Sequence, residues 1–164
     1  MKKILFSAAI AVFIFSATSA QSILVDASVP ATVSAKILSM AETHKAAFKN
    51  FARIYKGNAV TDAYELTDRG LLIRFADSRG RYKAYFSKGG AWTFTVVSYE
   101  EKGLPADVRK EVRSIYYDYQ ITYVDEVRRP MAVPIYRVQL TNGPRTLIVQ
   151  VTEDELRVVK ELVN

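Results

Sequence analysis

Apolar residues recur at helical spacing in two places along the chain, and short segments of alternating apolar and polar residues follow each place. The first helical pattern covers about 30–56 and opens with Val29-Pro30-Ala31-Thr32-Val33; the second opens 75 residues later with Leu104-Pro105-Ala106-Asp107-Val108. Apolar positions three and four residues apart form one face of a helix. Proline suits a helix start because the donor that it lacks would be unpaired there. The first pattern is long, so we expect a kink or break at about 42–46.

Four strand candidates follow each helix. They span 59–66, 71–76, 81–87 and 91–99 after the first helix, and 121–127, 133–141, 145–152 and 156–163 after the second. The connecting loops are too short for parallel crossovers, so we expect antiparallel pairing. The last segment is also compatible with a short helix, but we favour a strand because it matches the fourth strand of the first set.

This order of elements predicts an α+β fold of two tandem helix-plus-four-strand units, about 28–100 and 103–163. We expect the strands to form one long antiparallel sheet or two adjoining sheets, with both helices packed on one face. The opposite face, called the open face below, then meets water or a partner.

The N-terminus predicts export. Lys2 and Lys3 precede an apolar run of 12 residues, Ile4 to Phe15, and small residues then lead to Ala20. This pattern is typical of a secretory signal peptide, and the run is too short to span a bilayer. We therefore predict cleavage after Ala20, a mature single domain over 21–164 with no transmembrane segment, and a secreted or periplasmic location. A retained anchor is the alternative.

Composition excludes several classes of site. The chain contains no cysteine, which rules out disulfides, zinc–thiolate sites, cysteine nucleophiles and iron–sulfur clusters. The net charge of +6 includes Lys2 and Lys3, which leave with the signal peptide. Positive and negative residues are interspersed along the rest of the chain, so we predict no nucleic-acid partner.

No residue pattern points to catalysis, a cofactor or a metal. His44 is the only histidine, and we interpret it as a helix-face residue outside any triad. The acidic residues of Glu153-Asp154-Glu155 and Asp125-Glu126 could in principle bind a hard cation, but they lack the ordered spacing of a calcium loop. We interpret them as solvated positions.

Tyrosine and arginine, the residue types enriched at interface hot spots, recur on the predicted strands. If Trp92 and Phe94 face the helices, alternation places a set of such residues on the open face. The predicted binding surface consists of Arg74, Lys83, Tyr85, Tyr99 and Arg137. The alternative is that these side chains pack against one another or only cover the sheet.

Three phrases carry a family resemblance: Gly80-Arg81-Tyr82-Lys83-Ala84-Tyr85-Phe86, Gly90-Ala91-Trp92 and Ile135-Tyr136-Arg137-Val138-Gln139-Leu140. Together with the two proline-led helices, they resemble the PepSY-like proteins with a beta-lactamase-inhibitor-like fold from the envelope of Bacteroidetes-type bacteria. The resemblance implies a secreted, non-enzymatic protein of uncharacterised role, with no site residues to transfer. The long first helix and the Glu153-Asp154-Glu155 turn depart from that family.

The sequence thus predicts a non-enzymatic binding module that recognises a protein, peptide or envelope component through the open face. An inhibitor or chaperone of an exported enzyme is the alternative, which rests on fold analogy. An enzyme that uses only carboxylates or tyrosines is a third possibility, and it requires a pocket that gathers residues such as Asp62, Glu65, Asp125 or Glu126.

Overall fold

The computed structural model describes residues 23–163, and the predicted signal peptide with its cleavage site lies outside that range. The helices are α1 (Ala31–Thr43), α2 (Lys45–Ile54) and α3 (Ala106–Ile115), with a short 3-10 turn at Glu101–Gly103. The strands are β1 (Val60–Glu65), β2 (Leu71–Ala76), β3 (Arg81–Phe86), β4 (Trp92–Tyr99), β5 (Gln120–Arg128), β6 (Ile135–Asn142), β7 (Arg145–Val151) and β8 (Leu156–Val163).

All eight strands form one sheet in chain order, and each strand pairs antiparallel with the next. Strand β4 pairs with β5 across the boundary between the two predicted units, with Tyr99 opposite Val124. The prediction of two tandem helix-plus-four-strand units was therefore wrong: one uninterrupted sheet carries three helices. The junction is favourable because pairing satisfies backbone groups that two separate sheets would leave exposed at their edges. The α+β class and the antiparallel pairing are confirmed.

The first helical pattern breaks at His44, inside the predicted interval. The backbone at His44 leaves helical geometry with φ −112° and ψ 44°, although its N–H still donates to the carbonyl of Met40 at 2.8 Å. Helix α1 packs on β1, whereas α2 contacts β4. Because a sheet twists, two short helices can align their apolar faces with different strands more closely than one long helix.

The helices and the sheet share one hydrophobic core. Ile37 of α1, Phe51 of α2 and Val112 of α3 are buried in the same cluster as the side chains that alternate along the strands. Strand residues of this face include Ile73, Ala84, Val97, Val124, Val138 and Val149, all fully buried. Burial of each large apolar side chain stabilises the fold by roughly 1.5–3 kcal/mol.

A β-bulge near the start of β4 changes which residues face the helices. Phe86 lies opposite Trp92, but its neighbour Tyr85 lies opposite Phe94, so Thr93 is an extra residue in β4. One extra residue shifts the alternation of side chains by one position. Trp92 therefore stays on the helical face, where its indole N–H donates to Thr95 at 2.9 Å, and Phe94 turns to the open face. The expectation that Trp92 and Phe94 share the helical face was wrong.

The same shift corrects the position of Tyr99. Thr95, Val97 and Tyr99 follow the bulge at alternating positions, and all three are buried on the helical face. Tyr99 is only 5% exposed, so it does not belong to the open face as predicted. Its hydroxyl instead reaches Glu126 beneath the helices.

The C-terminal segment forms the edge strand β8, as we favoured over a helix. The Asn142-Gly143 turn connects β6 to β7, and Gly143 adopts φ 54°, a conformation that glycine reaches without strain. Within residues 23–163, no helix is long and apolar enough to cross a membrane.

Candidate binding surface on the open face of the sheet

The structure places four of the five predicted surface residues on the open face. Arg74 and Lys83 are exposed on β2 and β3, Tyr85 is half-buried on β3, and Arg137 is exposed on β6. Their neighbours in each strand point into the core, as alternation requires. Tyr99, the fifth, lies on the helical face.

Three cations form a cluster on β2 and β3, called the cationic cluster below: Arg74, Arg81 and Lys83. Arg74 lies directly opposite Lys83, and Arg81 lies two residues before Lys83 on the same face of β3. None of the three makes an ion pair or a side-chain hydrogen bond with another residue of the described range. Like charges directly opposite each other destabilise a sheet, although Asp62 on the other side of Arg74 offsets part of this repulsion.

Two depressions lie beside each other on the open face. The first has a volume of about 490 Å³, and the cationic cluster lines it together with Ser98 and Tyr123. The second has a volume of about 330 Å³ and is lined by residues that include Tyr123, Asp125, Arg137, Gln139, Ile148 and Lys160. Tyr123 borders both, so the two depressions form one recessed surface from β1 to β8.

A row of two aromatic side chains and one aliphatic side chain lies beside the cationic cluster. It is called the aromatic row below and consists of Leu72, Tyr85 and Phe94. They occupy consecutive cross-strand positions on β2, β3 and β4. The rings of Tyr85 and Phe94 stack at 4.2 Å between centroids with an interplanar angle of 17°. All three are half-buried, so a partner could remove their remaining apolar area from water.

Two carboxylates of the same face are already engaged. Asp62 accepts from the Lys36 ammonium at 3.1 Å, and Asp125 accepts from the Ser98 hydroxyl at 2.6 Å. Desolvation acts to raise the pKa of Asp62, but hydrogen bonds from Tyr64 and Lys36 outweigh it and hold that pKa below its usual value. Neither carboxylate forms an ion pair with the cationic cluster, although Asp62 lies directly opposite Arg74, and the cluster keeps a net positive charge at the surface.

A buried ionic cluster occupies the helical face, and the sequence analysis missed its contacts. Glu126 is 3% exposed and accepts hydrogen bonds from Arg128 at 2.6 Å, from Arg79 at 2.8 Å and from Tyr99 at 2.8 Å. Desolvation alone would raise the pKa of Glu126, but these donors and the two guanidinium charges lower it below its usual value. Burial and the Glu126 carboxylate raise the pKa of Tyr99 in turn.

These contacts explain why Asp125 and Glu126 do not form a joint cation site. Asp125 and Glu126 are consecutive in β5 and therefore point to opposite faces of the sheet, Asp125 toward Ser98 and Glu126 toward the helices. Glu126 is committed to two arginines and a tyrosine. A signal was present in the sequence: a glutamate alternating in phase with Val124 falls on a buried face, where it requires charged partners.

His44 lies at the break between α1 and α2, with a side chain that is 10% exposed. Its Nε2 atom has no hydrogen-bond partner among residues 23–163, and the nearest carboxylate oxygen, from Glu65, is 3.9 Å away. The contact is too long for a hydrogen bond that would orient the imidazole.

Three solved structures to which the chain is similar come from Bacteroides species. A DUF2874 family protein from Bacteroides ovatus ATCC 8483 matches with a TM-score of 0.50 and 16% identity, over 80% of this chain and 88% of that chain. A DUF2874 family protein from Bacteroides uniformis ATCC 8492 and a protein from Bacteroides eggerthii DSM 20697, described provisionally as periplasmic, each match with a TM-score of 0.48 and 16% identity, over 82% of this chain and 88% of theirs. No family profile and no curated protein matches the chain. The Bacteroides ovatus match shows a shared fold.

Proposed function

We propose that this protein is an exported, non-enzymatic binding module that recognises a protein, peptide or envelope component with the open face of its sheet. The observation that carries the proposal is the cationic cluster, which makes no internal ion pair and lies beside the half-buried aromatic row; its one internal contact is that of the Arg74 guanidinium with the Tyr64 ring, 5.0 Å from the ring centroid. Unpaired like charges and exposed aromatic area both disfavour the free protein, and a bound partner would relieve both. Arginine and tyrosine are also the side chains that most often dominate binding energy at interfaces.

The absence of enzymatic activity belongs to the same proposal. The buried carboxylate of Glu126 is held by three donors, and Asp125 points away from it. A general acid or base needs a free position for substrate, which these contacts occupy. An inhibitor or chaperone of an exported enzyme remains the second candidate, and it would use the same open face.

The proposal also includes export from the cytoplasm and membership of a family of envelope proteins. The N-terminal pattern that ends at Ala20 supports transport out of the cytoplasm. We assign the chain to the PepSY-like, beta-lactamase-inhibitor-like group of Bacteroidetes-type envelope proteins on its sequence phrases. N-terminal sequencing of the protein from the envelope and from the culture medium tests export, and we expect Gln21 as the first residue.

Site-specific photo-crosslinking tests the open face. A photo-reactive amino acid replaces Tyr85 on the open face in one variant and Tyr117 in the other; the Tyr117 side chain is 82% exposed in the segment after α3. Irradiation of living cells should give a discrete covalent adduct from position 85 and none from position 117. Adducts from position 117 alone, or from neither position, would contradict binding through the open face.

A further inference from the structure

Resting on the proposed function, we propose that the partner is an acidic protein surface, whose carboxylates bind the cationic cluster while its apolar side chains cover the aromatic row. The arrangement of charge, apolar area and shape on one side of the sheet supports this class of partner.

The first step is charge complementarity. Arg74 and Lys83 are cross-strand partners, and Arg81 lies next to Lys83 on the same face, so three positive charges gather within two neighbouring strands. Asp62 of β1 lies opposite Arg74 but binds the Lys36 ammonium, and no carboxylate of the described residues forms an ion pair with any of the three cations. Carboxylates bind the guanidinium group through two parallel hydrogen bonds, which gives geometry as well as energy. A ligand that carries several carboxylates therefore fits this cluster.

The position of the cationic cluster favours the carboxylates of a protein over phosphate groups as its ligand. Phosphate sites usually employ backbone N–H groups at a helix N-terminus or in a loop. The cationic cluster lies inside a continuous sheet, where β2 and β3 are each paired on both sides, and no helix ends beside it. Only side chains are available as donors, an arrangement that suits carboxylates spread over a partner surface.

The third step concerns the apolar area. Leu72 and Tyr85 of the aromatic row lie two residues along β2 and β3 from the Arg74–Lys83 pair, on the same face. Val96 of β4 lies directly opposite Lys83. A sulfated glycan or a layer of anionic lipid headgroups would neutralise the cations but would leave these apolar side chains uncovered. Protein interfaces combine an apolar centre with charged groups around it, which is the composition found here.

The recessed shape also favours a protein. The two depressions, of about 490 Å³ and about 330 Å³, meet at Tyr123. A protrusion of a partner can enter a recess, whereas a flat bilayer contacts the rim. Arg137 and Lys160 line the second depression together with Asp125, which lies opposite Arg137, so the positive charge is concentrated at the cationic cluster.

The experiment compares two labelled synthetic peptides that differ only in charge: one rich in glutamate and leucine, and the same peptide with glutamine in place of every glutamate. Fluorescence anisotropy measures their binding to the mature protein, to the double variant Arg74→Glu/Lys83→Glu and to the control variant Lys88→Glu/Arg145→Glu. The control makes the same change in net charge at exposed positions outside the open-face depressions.

We expect the wild-type protein and the control to bind the glutamate peptide roughly tenfold more tightly than the glutamine peptide, and the double variant to lose this preference. Failure of the wild-type protein to distinguish the two peptides, including by binding neither, overturns the inference, as does full binding by the double variant. Tighter binding to phosphatidylglycerol vesicles or to dextran sulfate than to the glutamate peptide overturns the assignment to a protein.

The proposed function and this inference fail in distinguishable ways. If the double variant still forms the crosslinked adduct through position 85 in cells, the open face binds a partner without selecting for acidity. If position 85 gives no adduct in any variant, the open face itself is not the binding surface.

Discussion

Arg74 and Lys83 lie directly opposite each other on neighbouring strands of the open face, and neither forms an ion pair with another residue of the described range. The repulsion between them lowers the stability of the free protein. The arrangement thus links stability and binding, because the same two charges that destabilise the sheet attract an acidic partner.

Replacing Lys83 with glutamate should therefore stabilise the protein. Lys83→Glu places a carboxylate opposite Arg74, and we expect the free energy of unfolding to rise by roughly 0.2–1 kcal/mol in urea titrations at low salt. High salt should reduce the gain. Lys88→Glu, in the exposed turn after β3, is the control and should leave the stability unchanged. A loss of stability in Lys83→Glu would contradict the proximity of the two charges.

Removing the buried charge of Glu126 should destabilise the protein strongly. Glu126→Gln leaves Arg79 and Arg128 without their carboxylate. We expect a loss of about 3 kcal/mol, the lower end for breaking a buried ion pair, because Arg79 can turn toward water. The exposed Glu100→Gln is the control for urea unfolding, and equal effects of the two changes would rule out this role for Glu126.

Tyr99→Phe tests the uncharged donor of the same cluster. The change removes one hydrogen bond to Glu126 and leaves the two arginines in place. We expect a loss of roughly 1.5–3 kcal/mol, the usual contribution of a hydrogen bond to a charged group. Since Tyr99 is buried, the variant should keep its binding properties, and altered binding at unchanged stability would argue that Tyr99 belongs to the surface after all.

Stability should decline in the alkaline range as Tyr82 ionises. Burial and the Asp77 carboxylate, which accepts a 2.9 Å hydrogen bond from the Tyr82 hydroxyl, raise the pKa of Tyr82 from 10.0 to about 12. Because this pKa is higher in the folded state, the contribution to stability is fully present below pH 10 and is lost as the pH rises toward 12. Tyr82→Phe should flatten the pH dependence of urea unfolding in that interval, whereas Tyr117→Phe should not.

The bulge in β4 makes a prediction about deletions. Deleting Thr93 removes the extra residue and keeps Trp92 and Phe94 opposite their partners, so the variant should fold. We expect a loss of about 1 kcal/mol, since the hydrogen bond from the Thr93 hydroxyl to the carbonyl of Tyr85 disappears.

Deleting Val96 is the matched comparison. It reverses the faces of Val97 and Tyr99 and should prevent folding, as followed by circular dichroism and urea titration. A folded Val96 deletion together with an unfolded Thr93 deletion would refute the assignment of the bulge.

The candidate surface was partly predictable. Simple alternation along β2, β3 and β6 placed Arg74, Lys83 and Arg137 correctly on the open face, because no bulge interrupts these strands between their buried neighbours. Alternation failed for Tyr99, which follows the bulge at Thr93. Tyr123, which borders both depressions, was missed because its importance comes from residues on other strands.

Local pattern by itself determined the elements of this protein: two proline-led helical segments, the break near His44, the antiparallel strands and the hairpin at Asn142-Gly143. These depend on backbone preferences and on periodicity, which act between residues close in sequence. Only the tertiary structure decided that β4 joins β5 in one sheet, that Glu126 meets Arg79, and that Arg74 lies between Asp62 and Lys83 on the two neighbouring strands. Such relationships depend on strand register and on contacts between distant segments, and a single added residue such as Thr93 reverses them.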